Sequence, residues 1–308
     1  MWMKASFSVV VTLFLVSPAV AEEAPETSAR PLDTLIAQAE QHFYDLKDPN
    51  RLEKTDAVLD QIQKSYPEDP YSYWAHARST FFKKEDFYTT QEGETPEKVE
   101  KAKLELAEKC HDYTDKCIEV SRKTPECYLL KGSCYAMQAS TWGVGRKSLR
   151  VCKPMDDAWA KAIRLPSSFR HAEGVTTAQL ARILRAILYR IMPDRWWFRF
   201  LSGVRGSKEK AYRWMKDSAQ GSLLAEPMVV IERAATAICY GRAKKKPELV
   251  VEGMKLLEDG LKLPTRYPTD DFDKRNMQIL MNKPEESCDY RRERFEDLSE
   301  EGIAKKVK

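Results

Sequence analysis

The chain has 308 residues, with 51 Lys and Arg against 47 Asp and Glu and a formal net charge of +4. Charged residues make up 32% and aromatic residues 10%, which is typical of a folded protein and excludes a largely disordered chain. The small net charge, with both signs interspersed along the chain, also argues against a nucleic-acid partner.

The first 21 residues have the pattern of a secretory signal peptide. Lys4 is followed by an apolar run over 5–16 and by Ala-Val-Ala at 19–21, a small-residue cleavage site. A retained membrane anchor is the alternative, but the apolar run is shorter than the ~20 residues that cross a bilayer. We therefore expect cleavage after residue 21, a disordered linker over 22–31, and a periplasmic or secreted protein.

Apolar residues recur at helical spacing from residue 32 onward. They predict a first helical hairpin over 32–66, interrupted by a break at Pro49. A second hairpin is expected to begin after Pro70 and to end near Arg122, with a polar insertion over 86–96 between its two helices.

The third predicted hairpin carries the clearest repeat motif. Tyr128, Gly132 and Tyr135 match the tetratricopeptide pattern W-x2-L-G-x2-Y, although Lys131 stands in the place of the leucine. Gly132 is expected to let the two helices of this hairpin approach each other closely. The second helix is expected to follow an inserted loop over 142–154.

Further helical segments follow the third hairpin. They are predicted over 180–191, over 207–220, over 227–264 as a hairpin, and over 270–282, with a connector at 196–206. The sequence has no run of alternating β-branched residues, so no sheet is expected. Residues 284–308 are predicted to form a charged, solvated tail.

Together these segments predict an all-α fold, a tetratricopeptide-like solenoid of stacked helical hairpins with irregular insertions over 32–283. The Gly-Ser-Lys-Glu-Lys-Ala run at 206–211 and the Leu-Lys-Leu-Pro run at 261–264, followed by a terminal helix, resemble the T component of tripartite ATP-independent periplasmic (TRAP) transporter systems. That resemblance implies a solenoid that associates with a periplasmic solute-binding protein and is able to hold an apolar ligand. Members of the family are often lipoproteins, but this chain has no cysteine at the cleavage site.

In repeats of this type the first helix of each hairpin lines a concave groove that binds the partner. Alignment on Trp74, Tyr128 and Ile231 places a set of candidate partner-binding or ligand-binding residues in this groove. The set is Ser79, Lys83, Ser133, Met137, Glu232 and Thr236, with Trp142 and Arg146 at the rim. Ordinary solvent exposure without binding is the alternative for each of them.

Arginines and aromatic residues alternate over 182–214, around Trp196, Trp197 and Phe198. Such a segment suits peripheral contact with a membrane, where aromatic rings lie at headgroup level and arginines face anionic lipid. It also suits a solenoid helix whose apolar face packs on its neighbours while the arginines stay in water. We favour the second interpretation.

Seven cysteines are expected to meet an oxidising compartment. Cys117 lies eight residues before Pro125 and Cys134 lies nine after it, so two antiparallel helices that turn at Pro125 bring them to similar heights. A Cys117–Cys134 disulfide is therefore the candidate pair, with plain buried thiols as the alternative. The odd number of cysteines leaves at least one thiol unpaired within a monomer.

Catalytic chemistry is not predicted. His42, His76, His111 and His171 lie far apart in the sequence, and no zinc-binding or nucleotide-binding motif is present, so no metal and no cofactor are expected. We therefore expect a non-enzymatic binding protein that docks a protein partner, with an accessory role in solute uptake as the specific case. A small-molecule or lipid-binding protein whose insertions close a pocket is the alternative, and a hydrolase with a scattered active site ranks third.

Overall fold

The computed structural model describes residues 30–84, 96–143, 145–171, 174–292 and 294–295. The predicted signal peptide, nearly all of the predicted linker and nearly all of the polar insertion over 86–96 lie outside these residues. The described part of the chain is predominantly helical, and the predicted all-α fold class is confirmed.

Twelve α-helices are present in the described part of the chain. They are α1 (Pro31–Tyr44), α2 (Arg51–Ser65), α3 (Pro70–Lys83), α4 (Pro96–Val120), α5 (Pro125–Trp142), α6 (Arg146–Arg164), α7 (Thr177–Ile191), α8 (Phe198–Ser202), α9 (Lys208–Ser218), α10 (Pro227–Lys244), α11 (Pro247–Leu261) and α12 (Pro268–Asn282). Short 3-10 helices span Gly221–Ala225 and Pro284–Cys288, and two strands follow, β1 (Tyr290–Arg291) and β2 (Arg294–Phe295).

Proline marks where many of these helices begin. The missing N–H of proline costs nothing at the first position of a helix, and its fixed φ suits a helix start. Side-chain caps add to this at α3 and α7. Asp69 accepts a hydrogen bond from the Tyr71 amide at 2.8 Å, and Thr176 forms a reciprocal pair with Gln179.

The helices stack as hairpins. In five hairpins the first helix packs on the second: α1 on α2, α3 on α4, α5 on α6, α7 on α9, and α10 on α11, with α12 closing the stack. The first helices of the last four hairpins also contact one another in a row, α3 with α5, α5 with α7, and α7 with α10, and α12 continues the row beyond α10. Stacked hairpins of this kind bury a continuous core between neighbouring units.

Gly132 brings α5 and α6 together, as the sequence predicted. A Cβ atom at Gly132 would lie 2.3 Å from the Nε1 atom of Trp159 on α6, a distance that no real contact tolerates. The Trp159 ring is fully buried, and its indole N–H donates a hydrogen bond to the Leu129 carbonyl at 3.1 Å. The close approach of these two helices is therefore confirmed.

The predicted loop over 142–154 is wrong for most of its length. Helix α6 begins at Arg146 and continues through Pro154, so only a few residues separate α5 from α6. Buried Leu149, Cys152 and Met155 extend the apolar stripe of this helix across the proline. The gain from burying that stripe outweighs the lost hydrogen bond and ring clash at Pro154.

The C-terminal segment was expected to be a solvated tail without strands, and both expectations are wrong for its described part. Cys288 is bonded to Cys239 on α10, and Tyr290 is fully buried. Strands β1 and β2 form a small antiparallel ladder immediately after this. Arg292 pairs with Asp273 on α12 at 2.6 Å, so at least this charge of the segment is neutralised inside the protein.

The predicted Cys117–Cys134 disulfide is wrong, because each of these cysteines bonds to a different partner. The observed pairs are Cys110–Cys134 and Cys117–Cys127, each with Cα atoms 5.7 Å apart. In each pair the two cysteines lie equally far from Arg122 along the chain. Arg122 is therefore the centre of the turn between α4 and α5. The prediction placed that centre at Pro125, the first residue of α5, and so shifted the register between the helices.

We expect Gly132→Leu to lower the free energy of unfolding by about 1–3 kcal/mol, because the new side chain overlaps the Trp159 ring. Gly145→Asn is the matched control, since a Cβ at Gly145 meets nothing within 4 Å and asparagine is a good residue at the start of a helix. Urea denaturation of the two variants measures the difference. Equal stability of the two would show that α5 and α6 are packed differently.

Thiol labelling tests the disulfide pattern. Cys152 is the one cysteine outside a disulfide, and its burial raises the pKa of its thiol to about 12. We expect no alkylation of the folded, unreduced protein, since the thiolate is the reactive form. One thiol should react after unfolding without reductant, and all seven after reduction. Peptide mapping of the unreduced protein should return the three observed pairs, and a Cys117–Cys134 peptide would contradict them.

Candidate functional site

Most residues of the predicted binding groove are buried rather than open to a partner. Ser79, Ser133 and Met137 are fully buried, and Glu232 and Thr236 are nearly so. Lys83 and Trp142 are partly exposed, and Arg146 is exposed. The prediction of an open, partner-facing surface is therefore wrong for the five buried residues.

The polar groups among these residues are used inside the fold. Ser133 donates to the Leu129 carbonyl at 3.0 Å, and Thr236 donates to the Glu232 carbonyl at 2.7 Å. Lys83 pairs with the Asp56 carboxylate on α2 at 2.5 Å. These bonds join neighbouring turns or neighbouring helices, so the side chains stabilise the stack.

The groove is closed because segments of the same chain cover the first helices. In the connection between α6 and α7, Phe169 contacts Trp74 with ring centroids 4.7 Å apart. Ser167 in the same connection donates to Glu126 on α5. At the other end of the row, the carbonyl of Ser287 accepts a hydrogen bond from Arg190 on α7 at 2.8 Å. Covering segments of this kind come from tertiary packing and leave no periodic signal in the sequence.

Three of the four histidines take part in ring packing. His76 stacks on Tyr113 with ring centroids 4.6 Å apart, and His111 contacts Tyr135 at 4.5 Å. Burial lowers the pKa of His111 to about 4. His171 is buried beside Phe169, and its burial and the nearby Arg78 hold its pKa well below the usual value.

The surface that stands out is a small exposed group of apolar side chains, which we call the aromatic tip: Trp196, Phe200 and Leu201. Their exposed fractions are 68%, 81% and 48%. The Trp196 and Phe200 rings contact each other edge to face, with centroids 5.8 Å apart. Large apolar side chains grouped this closely on a surface usually mark a binding site.

The aromatic tip lies on a closed loop between α7 and α9. A Cβ atom at Gly206 would lie 1.8 Å from the Met192 carbonyl, so the two ends of the loop touch. Within the loop, Phe198 is fully buried and Ser202 donates to the Val204 carbonyl at 2.7 Å. The exposure of the tip is therefore built into an anchored loop.

The base of this loop is also held by a buried lysine. Lys208, at the start of α9, donates to the carbonyls of Arg190 and Met192 at the end of α7, the second at 3.0 Å. Burial and the nearby Arg190 lower the pKa of Lys208 to about 8. A cation at the C-terminal end of a helix satisfies carbonyls that have no partner within the helix.

Exposed cations flank the aromatic tip on three neighbouring turns, and we call them the basic edge. The basic edge consists of Arg146, Lys147, Arg150, Arg195, Arg199, Arg242, Lys244, Lys245 and Lys246. Its members come from the α5–α6 turn and the start of α6, from the loop that carries the tip, and from the α10–α11 turn. Lys153 and Arg205 are exposed nearby and form ion pairs with Asp157 and Asp194.

Contacts between the hairpins place these three turns at one end of the stack. Lys153 on α6 packs against Gly203 in the tip loop, where an added Cβ would lie 2.6 Å from the lysine side chain. Tyr212 on α9 stacks on Tyr240 near the end of α10, with centroids 5.3 Å apart. Lys246 lies over that same Tyr240 ring at 5.6 Å. The loop that carries the tip thus lies between the two turns that carry the other cations.

The other candidate sites among the described residues have fewer features of a binding site. A shallow depression of about 440 Å³ is lined by Ile279, Asn282, Lys283 and Glu286, on and after α12. Within the described ranges, no group of three or more His, Cys, Asp or Glu is arranged to hold a metal ion. None of the described helices is both long enough and apolar enough to cross a membrane.

Comparison with known proteins gives no family for the chain. No protein-family model matches it, and a search of curated proteins finds no significant similarity. The resemblance to the TRAP T component therefore stays a prediction.

The Asp56 carboxylate on α2 allows the packing of α2 against α3 to be tested by changing the pH. Its burial alone would raise the pKa, but His76, Lys83 and Ser79 face the carboxylate and bring the pKa from 3.8 to about 2. The unfolded chain thus takes up the proton first as the pH falls. The carboxylate stabilises the fold by about 2 kcal/mol above pH 4, and this is lost between pH 4 and 2.

We expect Asp56→Asn to show a smaller fall in unfolding free energy between pH 4 and 2 than the natural protein. Urea denaturation at a series of pH values measures this fall. Asp60→Asn, one helical turn further along α2, is the control for loss of a carboxylate. If the unfolding free energy of Asp56→Asn falls between pH 4 and 2 by as much as that of the natural protein, the lowered pKa of Asp56 is not the cause of the fall.

Proposed function

We propose that this chain is a non-enzymatic helical-repeat binding protein of an extracytoplasmic compartment. The aromatic tip and the basic edge are its docking surface for a macromolecular partner. The observation that carries the proposal is the exposure of Trp196, Phe200 and Leu201 on an anchored loop.

Energetics supports docking at this surface. Burying a large apolar side chain contributes about 1.5–3 kcal/mol, so a partner that covers the tip gains several kcal/mol before other contacts are counted. Aromatic residues and arginine are also the residue types that carry most of the binding energy at macromolecular interfaces. The anchored loop adds to this, because little conformational freedom is lost when the partner binds.

The three disulfides support an oxidising compartment, and so does the predicted signal peptide. Repeat architecture predicts a protein partner in the concave groove, and a periplasmic solute-binding protein is the specific partner that the TRAP resemblance implies; the aromatic tip and the basic edge are a separate surface. A role in solute uptake depends on that resemblance.

Footprinting with hydroxyl radicals tests whether the tip is a docking surface. We expect Trp196 and Phe200 to be oxidised rapidly in the purified protein, and more slowly in an extract of the cells that produce it, because a partner covers them there. Tyr66, partly exposed in the turn between α2 and α3 and outside the docking surface, is the internal control and should react equally in both samples. Equal oxidation of Trp196 in the two samples would overturn the proposal.

A further inference from the structure

We infer that the occupant of the docking surface is the headgroup region of a bilayer that contains anionic phospholipid. This inference rests on the proposed function and names the partner of the same site. The aromatic tip would enter the boundary between headgroups and acyl chains, and the basic edge would contact the lipid phosphates.

The shape of the tip fits a bilayer surface. Trp196, Phe200 and Leu201 extend from one short loop, while their neighbour Phe198 is fully buried and anchors it. Interfacial protein segments bury their apolar side chains about 5–10 Å into the boundary between headgroups and acyl chains. Tryptophan is favoured at that depth because its ring is apolar and its N–H remains near water.

The charge around the tip fits anionic lipid. Arg195 and Arg199 lie in the tip loop itself. Arg150 on α6 and Lys244 at the end of α10 are among the cations on either side of the loop. Each Lys or Arg held close to an anionic membrane surface contributes about 1 kcal/mol at moderate ionic strength. The cations and the tip lie at the same end of the stack, so one orientation of the protein turns them toward the same membrane surface.

The lysines of the basic edge favour lipid over a folded protein, whereas its arginines suit either partner. Lysine is depleted in protein–protein interfaces, whereas it is the common residue of polybasic membrane-binding segments. The α10–α11 turn carries three consecutive lysines, Lys244, Lys245 and Lys246, all of them exposed. A protein interface centred on the tip would have to order or exclude these flexible side chains.

Flotation with lipid vesicles tests the inference on the purified, disulfide-bonded protein. We expect binding to phosphatidylcholine vesicles that contain about 30% phosphatidylglycerol. This anionic lipid gives the vesicles a negative surface potential. Binding to pure phosphatidylcholine vesicles should be far weaker, and raising the salt concentration should weaken binding to the anionic vesicles.

Two variants separate the apolar and the charged contributions. The triple variant Trp196→Ser, Phe200→Ser, Leu201→Ser should bind the anionic vesicles at least about 10-fold more weakly. Neutralising three cations, Arg150→Gln, Arg199→Gln and Lys244→Gln, should weaken binding on the order of 100-fold at low salt. Neither set includes a buried side chain, and circular dichroism checks that both variants are folded.

Matched controls change the same kinds of residue elsewhere on the surface. Val251→Ser with Ile279→Ser removes two other exposed apolar side chains, 66% and 40% exposed. Arg122→Gln with Lys123→Gln removes exposed cations from a turn between hairpins, at the opposite end of the helices. Both control variants should bind the anionic vesicles as the natural protein does.

The outcomes separate this inference from the proposed function. Absence of binding to anionic vesicles, or equal losses in the control variants, would overturn the lipid inference. If Trp196 is still protected in the cell extract in that case, the docking surface stands and its occupant is a protein. If Trp196 is unprotected and the vesicles are not bound, both proposals fail.

Discussion

The first helices α3, α5, α7 and α10 are packed on both of their faces, and this burial governs the rest of the molecule. A polar side chain on such a helix loses water on every side, so it needs a partner inside the protein. The fully buried guanidinium of Arg190 donates to Glu232 at 2.7 Å and to the carbonyls of Ser287 and Tyr290 at 2.8 and 2.9 Å. Burial raises the pKa of Glu232, and Arg190 opposes that rise. The C-terminal segment therefore belongs to the core, because its carbonyls help to satisfy a buried cation.

The same constraint places the proposed docking surface away from the groove. Glu126 on α5 accepts hydrogen bonds from Ser167 and from Thr177, so the connection between α6 and α7 is held against the first helices. With the groove side occupied from within, the outer faces and the ends of the helices are the surfaces left for a partner. The end of the stack that carries the α5–α6 turn, the tip loop and the α10–α11 turn exposes large apolar side chains beside a group of cations. The loop of the aromatic tip is a surface insertion of the kind that often carries function.

Sequence periodicity predicted the features that depend on local chemistry, and it failed where packing between distant segments decides. The helical hairpins follow from apolar spacing and proline starts, and the close approach at Gly132 follows from the repeat motif. The disulfide register depended on the turn centre at Arg122, which spacing alone places only to within a few residues. At Pro154 the apolar stripe that crosses the proline was the signal for a continuing helix. For the aromatic run, a five-residue helix is too short to show from its sequence that Phe198 points inward and Trp196 outward.

An exposed aromatic tip is also a liability, because two copies of the protein gain by covering each other's apolar side chains. The basic edge limits that association. Cations such as Arg195 and Arg199 lie beside Trp196, so two tips that approach each other bring like charges together at short range. Against an anionic surface the electrostatic interaction is attractive, because burying the tip also brings the cations closer to negative charge. In the docking surface that we propose, the arrangement of apolar and charged groups would therefore select the sign of the partner's charge as well as its apolar character. That selectivity requires the tip and the cations to keep their positions, which the closed loop at Gly206 and the stacked hairpins provide.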